Sequence, residues 1–394
     1  MLGSRAPLWA SPFRPLHLLG ALYAPLAIGG GAGAWLGRVP LPTTPALWHG
    51  HEMLFGFALA IVLGTLLTAL PSWAGTPEIR GRPLAALTAL WLLGRVAFWA
   101  APWLPAWAVA LADLPLLPLL AALVTPALLR VPNRLYLLLL PPLLLALAGA
   151  NIAYHLAVVG NDAALAAQAL RAGVYGVIAI FLLKGGVLVP IFTGNALRAA
   201  GRGEQPPFRL PLEAAALGSV LLLAALDLAR APRPLVGSAA LLCALVHGAR
   251  SARWRGWRVA GQPLVASLNL AFAWLIAAFA LKAAVEFGLL ASDDAWLHAF
   301  TVGALGLMML GLMNRVVLRH TGRALAVPAA MRLAYASMLA AALLRLAVGL
   351  HAGATPLLAL AGLLWALPFV VYLALYGRAL LAPSLPRTQT PRTG

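Results

Sequence analysis

Two imidazoles, a carboxylate and a thioether fall within six successive residues, Trp48-His49-Gly50-His51-Glu52-Met53. Imidazole nitrogen and thioether sulfur suit haem iron or copper better than magnesium or calcium, which prefer oxygen ligands. A second group is Asn151 with His155, and a third is His298, which follows Asp293, Asp294 and Trp296. Arg95, Asp113, Lys184, Lys282, Glu286 and Arg345 stand in or beside apolar runs. Ionisable residues inside such runs are costly, and they usually face a cofactor, an ion or an aqueous path.

Spacing limits what these residues do together. Two residues of helix turn about 200°, so His49 and His51 point to nearly opposite sides if that turn is regular. They then serve separate centres; a single ion takes both only if residues 48–50 are loop. His298 and His320 lie about 33 Å apart along one helix and cannot share a site. Lys282 and Glu286, four apart, share a helix face and read either as a mutual ion pair or as a functional pair. His17, His247 and His351, each near a helix end, read as interfacial histidines at headgroup level. The methionines Met308, Met309 and Met313 read mainly as packing, and Cys243, the only cysteine, as a small buried hydrophobe. One cysteine also excludes an intrachain disulfide, a CxxC redox pair and covalent haem attachment through CxxCH.

The elements that must position these residues are membrane helices. The 394-residue chain is 62% hydrophobic and 10% charged, against roughly 25% charged for a soluble domain. The bilayer must be part of its solvent. Apolar stretches fall at about 16–37, 48–71, 83–101, 105–129, 135–159, 171–195, 211–229, 234–250, 263–288, 295–317, 328–350 and 356–381. The expected fold is all-α, one polytopic membrane domain of twelve transmembrane helices, its first span an uncleaved anchor.

The net charge of +18 has no nucleic-acid motif beside it and is read as membrane topology. Arginines crowd the termini and the loops after even-numbered spans, as at Arg80, Arg130, Arg198, Arg253 and Arg319. Loops after odd-numbered spans hold only Arg38, Arg171, Arg230 and Arg233. Positive charge is retained on the cytoplasmic side, so both termini are expected there. This orientation brings His49, His51, Glu52, Asn151, His155, His298, Lys282, Glu286, Arg95 and Arg345 toward the outer leaflet.

An internal echo accompanies the count. Span two reads His51-x4-Gly56-x7-Gly64 and span ten reads His298-x4-Gly303-x7-Gly311, with a looser Arg171-x4-Gly176-x8-Gly185 in span six. Repetition every four helices suits a quasi-threefold arrangement of four-helix arcs, by analogy with haem–copper oxidases.

These residues carry a family resemblance. Trp48-His49-Gly50-His51-Glu52-Met53-Leu54-Phe55-Gly56-Phe57 resembles the W-H-x-H-E-M-L-F-G-F signature of the NnrS family of bacterial membrane proteins. Further matching blocks are Leu90-Trp91-Leu92-Leu93-Gly94-Arg95, Ala150-Asn151 with His155, Pro190-Ile191-Phe192-Thr193-Gly194-Asn195-Ala196-Leu197, His298-Ala299-Phe300-Thr301-Val302-Gly303 and Arg319-His320-Thr321-Gly322-Arg323. The resemblance implies an inner-membrane protein with non-covalent haem and copper, linked to nitric oxide and nitrosative stress in denitrifying bacteria. It carries over His49, His51, His155, His298 and His320. Two blocks depart from the family pattern. Lys184-Gly185-Gly186 replaces G-G-R, and Asn269 stands where a histidine is common.

The resulting expectation is haem in the outer half of the bundle, with His51 and His298 as axial candidates. His49 and His155 serve copper or a second haem. Arg95 or Arg345 neutralises propionates, and Glu52 orients an imidazole or relays protons. His320 is expected in a helix-end or binding-loop role. The expected partners are nitric oxide or a nitrosyl-iron species, and lipid. A twelve-helix secondary transporter using intramembrane Asp113, Lys184 and Glu286 is the second reading. No residue is singled out as catalytic.

Overall fold

The computed structural model describes residues 6–41, 43–132, 134–350 and 355–386. His351 lies outside them. Every long element among the described residues is a helix: α1 Phe13–Trp35, α2 Pro45–Ala74, α3 Arg82–Trp99, α4 Ala106–Arg130, α5 Leu135–Val159 and α6 Ala163–Ala199. There follow α7 Leu210–Leu228, α8 Arg233–Ala252, α9 Pro263–Glu286, α10 Asp294–His320, α11 Ala329–Leu350 and α12 Thr355–Leu381. Eleven are long and apolar enough to cross a membrane. The exception is α3, which has only 18 residues and includes Arg82 and Arg95. Exposed leucines such as Leu111, Leu138, Leu156, Leu245 and Leu363 stand out from these helices, as lipid contact requires. Helices satisfy their own backbone hydrogen bonds, which is why a chain this apolar adopts them throughout.

Three helices contain a stretch of π-helix: Glu52–Ala58 in α2, Phe181–Gly185 in α6 and Ala299–Leu305 in α10. A π turn admits an extra residue, rotates the side chains beyond it and is frequent at functional sites. The segments in α2 and α10 agree in register. Each opens one residue after a histidine, His51 or His298, and carries glycine at its fifth position, Gly56 or Gly303. The α6 segment holds Lys184 instead and does not share that register. Arg171, expected in a loop, lies within α6, which starts earlier than its apolar stretch.

The chain forms two compact units. The first comprises Met1–Leu145, Leu312–Pro328 and Phe369–Gly394. Its core includes Phe13, Trp48, Phe55, Phe57 and Phe369, with Phe57 edge-on to Phe369. The helix α2 enters this unit through Pro45, after Thr44 caps its first turn by accepting from the Leu47 amide. The second unit comprises Ala146–Gly311 and Ala329–Pro368. Phe181, Phe272 and Phe300 pack together at its centre. In each unit a glycine of the π segment permits close packing. A Cβ on Gly56 would meet Arg95 and Tyr23, and one on Gly303 would meet the Trp274 ring.

A candidate metal centre in the first unit

His49 and His51 both belong to the regular start of α2, so their side chains diverge and one ion cannot take both. His49 is half-buried and packs beside Gly31 of α1. His51 is fully buried, and its ring stacks on Phe98 of α3 at 4.0 Å and 11°. Its Nδ1 lies 3.0 Å from Oε1 of Glu52 and its Nε2 lies 3.4 Å from Oδ2 of Asp113. Arg95, from α3, bridges the two acids: Nη1 donates to Glu52 Oε1 and Nη2 to Asp113 Oδ1. The Tyr23 hydroxyl of α1 donates to Glu52 Oε2 and accepts from Trp99 Nε1 at 3.1 Å.

Local sequence makes this convergence feasible. Gly94 lets α4 close on α3, because a Cβ there would lie 2.7 Å from Asp113 Oδ1. Trp91 Nε1 donates to the Gly56 carbonyl at 2.9 Å, holding the π segment against α3. Asp113 ends the short first half of α4, just before Pro115.

Among the ion pairs described, the carboxylates outnumber the permanent cations. Two carboxylates face one guanidinium, and all three groups are buried. Such a cluster is costly unless compensated. A neutral imidazole carries one proton, so either tautomer of His51 leaves a ring lone pair directed at a carboxylate. A second proton on the ring or a metal ion at Nε2 removes that conflict. Ligand atoms bound at about 2.0–2.2 Å in tetrahedral geometry lie about 3.4 Å from one another. The 3.4 Å between His51 Nε2 and Asp113 Oδ2 matches this spacing. Glu52, on Nδ1, then fixes the ring as carboxylate partners of ligating histidines do.

The second unit holds a larger polar cluster. Lys282 is fully buried, and its Nζ lies 2.6 Å from Glu286, 3.0 Å from Asp227 and 3.5 Å from Asp293. Arg171 joins Asp293 at 2.6 Å and Asp227 at 3.4 Å, while the Tyr175 hydroxyl donates to Asp227 at 2.8 Å. Lys282 also sits 5.2 Å from the Trp296 ring. Burial alone would raise the Asp293 carboxyl, but Lys282 and Arg171 outweigh it and hold it below the usual range.

Beside this cluster, His298 turns Nδ1 toward the Asp294 backbone oxygen at 2.9 Å and its carboxylate at 3.3 Å. Arg345, from α11, donates to the same carboxylate at 2.7 Å, and its buried Nη1 has no partner among the described residues. The His298 side chain is 21% exposed, and its Nε2 makes no hydrogen bond or ion pair among the described residues.

The structure thus gathers His51, Glu52 and Arg95 in the first unit. It gathers Lys282 and Glu286 in the second, with His298 and Arg345 beside them. Asn151 and His155 are buried on the part of α5 that belongs to the second unit. Lys184 is buried in the π segment of α6. His320 ends α10, where its carbonyl accepts from Ser384. Asn269, in place of the family histidine, donates to Thr193 at 2.9 Å. His247 is a packed histidine, 3.2 Å from the Ala216 carbonyl and stacked on Phe279.

Sequence reasoning named Asp113 only as an intramembrane acid and missed Tyr23, Phe98, Trp99, Tyr175 and Asp227 as site neighbours. An acid in an apolar run was an available signal for Asp113 and Asp227. The aromatics gave none, because nothing in their spacing separates them from packing. Comparison with known sequences gives one family, described as NnrS protein, which matches residues 7–384. No curated protein matches the chain.

Proposed function

We propose, from the premise that this chain belongs to the NnrS family, that it is a copper- and haem-binding protein of the bacterial inner membrane. It would act in the response to nitric oxide or nitrosyl-iron species. In this reading it crosses the membrane twelve times, α3 included, with both termini in the cytoplasm. The observation that carries the metal assignment is His51, sealed between two carboxylates that share a single guanidinium.

The two groups fit different residues. The surroundings of His51 do not fit an axial haem ligand: both ring nitrogens face carboxylates, one ring face is covered by Phe98, and the residue is fully buried. They fit a single copper-class ion, with His51 and Asp113 as ligands, Glu52 orienting the ring and Arg95 compensating the acids. His298 better fits haem. Its Nε2 makes no hydrogen bond among the described residues, its Nδ1 is fixed by Asp294, and the buried Nη1 of Arg345 lacks the acceptor that an anionic propionate would supply. Histidine-bound haem iron with an open position supplies affinity for nitric oxide. The chain's own residues hold imidazole orientation, exclude water and balance charge. Transport is less favoured, because Asp113 pairs with Arg95 and Glu286 with Arg233, each across two helices.

Metal analysis and visible spectra of the detergent-purified protein test this. His51→Ala and Asp113→Asn are expected to lose bound copper and keep a Soret band, and His298→Ala to lose the Soret band. Unchanged copper in both first-unit variants would sink the His51 assignment.

A further inference from the structure

Away from both clusters, the second unit has a pocket where the 200–209 loop meets the ends of α7 and α8. Pro207, Phe208, Arg209, Arg250, Arg253 and Trp254 are among its lining residues. The walls are built rather than loose. Gly194 of α6 lies flat against the loop, since a Cβ there would come within 3.0 Å of the Gln205 backbone. Arg253 donates to the Pro207 carbonyl at 3.1 Å. Arg202 and Arg258 exchange hydrogen bonds with each other's carbonyls at 2.6 and 3.2 Å, tying the two loops together.

At the base is Arg250, only 4% exposed. It donates to the Gly186 carbonyl at 3.0 Å, pairs with Glu213 and lies over the Trp254 ring at 5.3 Å. Its Nε is buried and has no partner among the described residues. That N–H is enclosed within the wall, so the groups that can meet an anion from outside are the exposed Arg209 and the partly exposed Arg253. The one carboxylate in the wall, Glu213, is already engaged by Arg250. Arg209 and Arg253 leave the pocket with excess positive charge.

We propose that Arg209 and Arg253, at the mouth of this pocket, bind the phosphate of an anionic phospholipid headgroup. Phosphate oxygens are the acceptors that arginine forks suit best. The choice of a lipid over a free anion rests on the rim. Phe208 is 47% exposed and Leu210, next to Arg209, is 80% exposed, where the loop enters a membrane helix. Aromatic and apolar side chains at that level sit among headgroups and upper acyl chains. Basic pockets between helix ends hold acidic lipid headgroups by the same chemistry. Arg250 also grips Gly186, the residue that closes the π segment containing Lys184.

The test is lipid retention by the full-length protein, extracted from membranes, purified in mild detergent and quantified by mass spectrometry. Phosphatidylglycerol is expected to remain bound, with phosphatidylethanolamine depleted. Arg209→Gln with Arg253→Gln, both at least partly exposed, should weaken phosphatidylglycerol binding about fivefold for each arginine removed. Arg130→Gln with Arg134→Gln, an equal charge loss at an exposed loop, should leave retention unchanged. Equal loss in both double variants would mean diffuse charge attraction and overturn the pocket. Inorganic phosphate at millimolar concentration displacing the lipid completely would overturn the lipid assignment. Copper and haem content enter none of these readouts, so the proposal stands or falls apart from the metal reading.

Discussion

The two buried polar clusters solve the same problem differently. The first places Glu52 and Asp113 around one guanidinium and one imidazole, with every member nearly or fully shielded from solvent. The second surrounds Lys282 with Asp227, Glu286 and Asp293, then adds Arg171 and a rim arginine, Arg233, which is 63% exposed. Three acids meet three bases there, and Asp293 and Arg171 keep about a third of their side-chain surface open. A balanced cluster with an open edge needs nothing more. A sealed pair of acids that shares one guanidinium gains from a proton on the imidazole or an ion beside it. This difference, rather than the presence of histidine alone, separates a candidate metal centre from a structural network.

Removing the shared cation from each cluster should give the largest effects. Arg95→Leu strands two buried carboxylates and is expected to cost about 3–5 kcal/mol, read as a collapse of the detergent-solubilised melting temperature. Lys282→Leu should cost less, because Arg171 still compensates two of its three acids. Equal losses would break the contrast between the clusters.

The π-segment glycines give a smaller and sharper comparison. A Cβ at Gly56 lies 2.7 Å from Arg95 Nη1 and 3.0 Å from Tyr23, whereas one at Gly303 lies 2.5–2.7 Å from the Trp274 ring. Each alanine variant should cost about 1–3 kcal/mol by overpacking. Only Gly56→Ala should also lower copper content, because it pushes on the residue that holds both acids. Copper loss from Gly303→Ala alone would reverse the assignment.

Acid should distinguish the open cluster. The lowered Asp293 carboxyl contributes stability that is present above its ordinary value of 3.8 and is lost as pH falls through its lower folded value. Asp293→Asn should flatten the decline of thermal stability below about pH 4; an unaltered profile would remove Asp293 from the network. Smallest of all, Arg233→Ala should change stability by no more than about 0.5 kcal/mol, as exposed ion pairs do. A loss comparable with Lys282→Leu would show that the rim is not open in the membrane.

Much of the site's composition was legible in the sequence. His51, Glu52 and Arg95 stand out because ionisable groups in apolar runs are costly, and the Lys282–Glu286 pair follows from four-residue helical spacing. The echo between His51-x4-Gly56 and His298-x4-Gly303 is matched by two π segments opening at the same register. The π turns themselves were not legible, because hydrophobic period does not distinguish a π turn from an α turn inside a uniformly apolar helix. The orienting role of Asp294 for His298 was missed for a similar reason: in sequence it is one acid beside another.

Composition alone made this chain helical and membrane-embedded, since 62% hydrophobic residues leave no polar surface to form and lipid tolerates no unpaired backbone. Only the tertiary structure decided which acid meets which base. Helical spacing fixes neighbours on one helix, but Asp113 reaches His51, and Asp227 reaches Lys282, from separate helices. Those meetings depend on how closely helices approach and how π turns rotate their faces. They set the charge balance of each cluster, and through it the chemistry each can support.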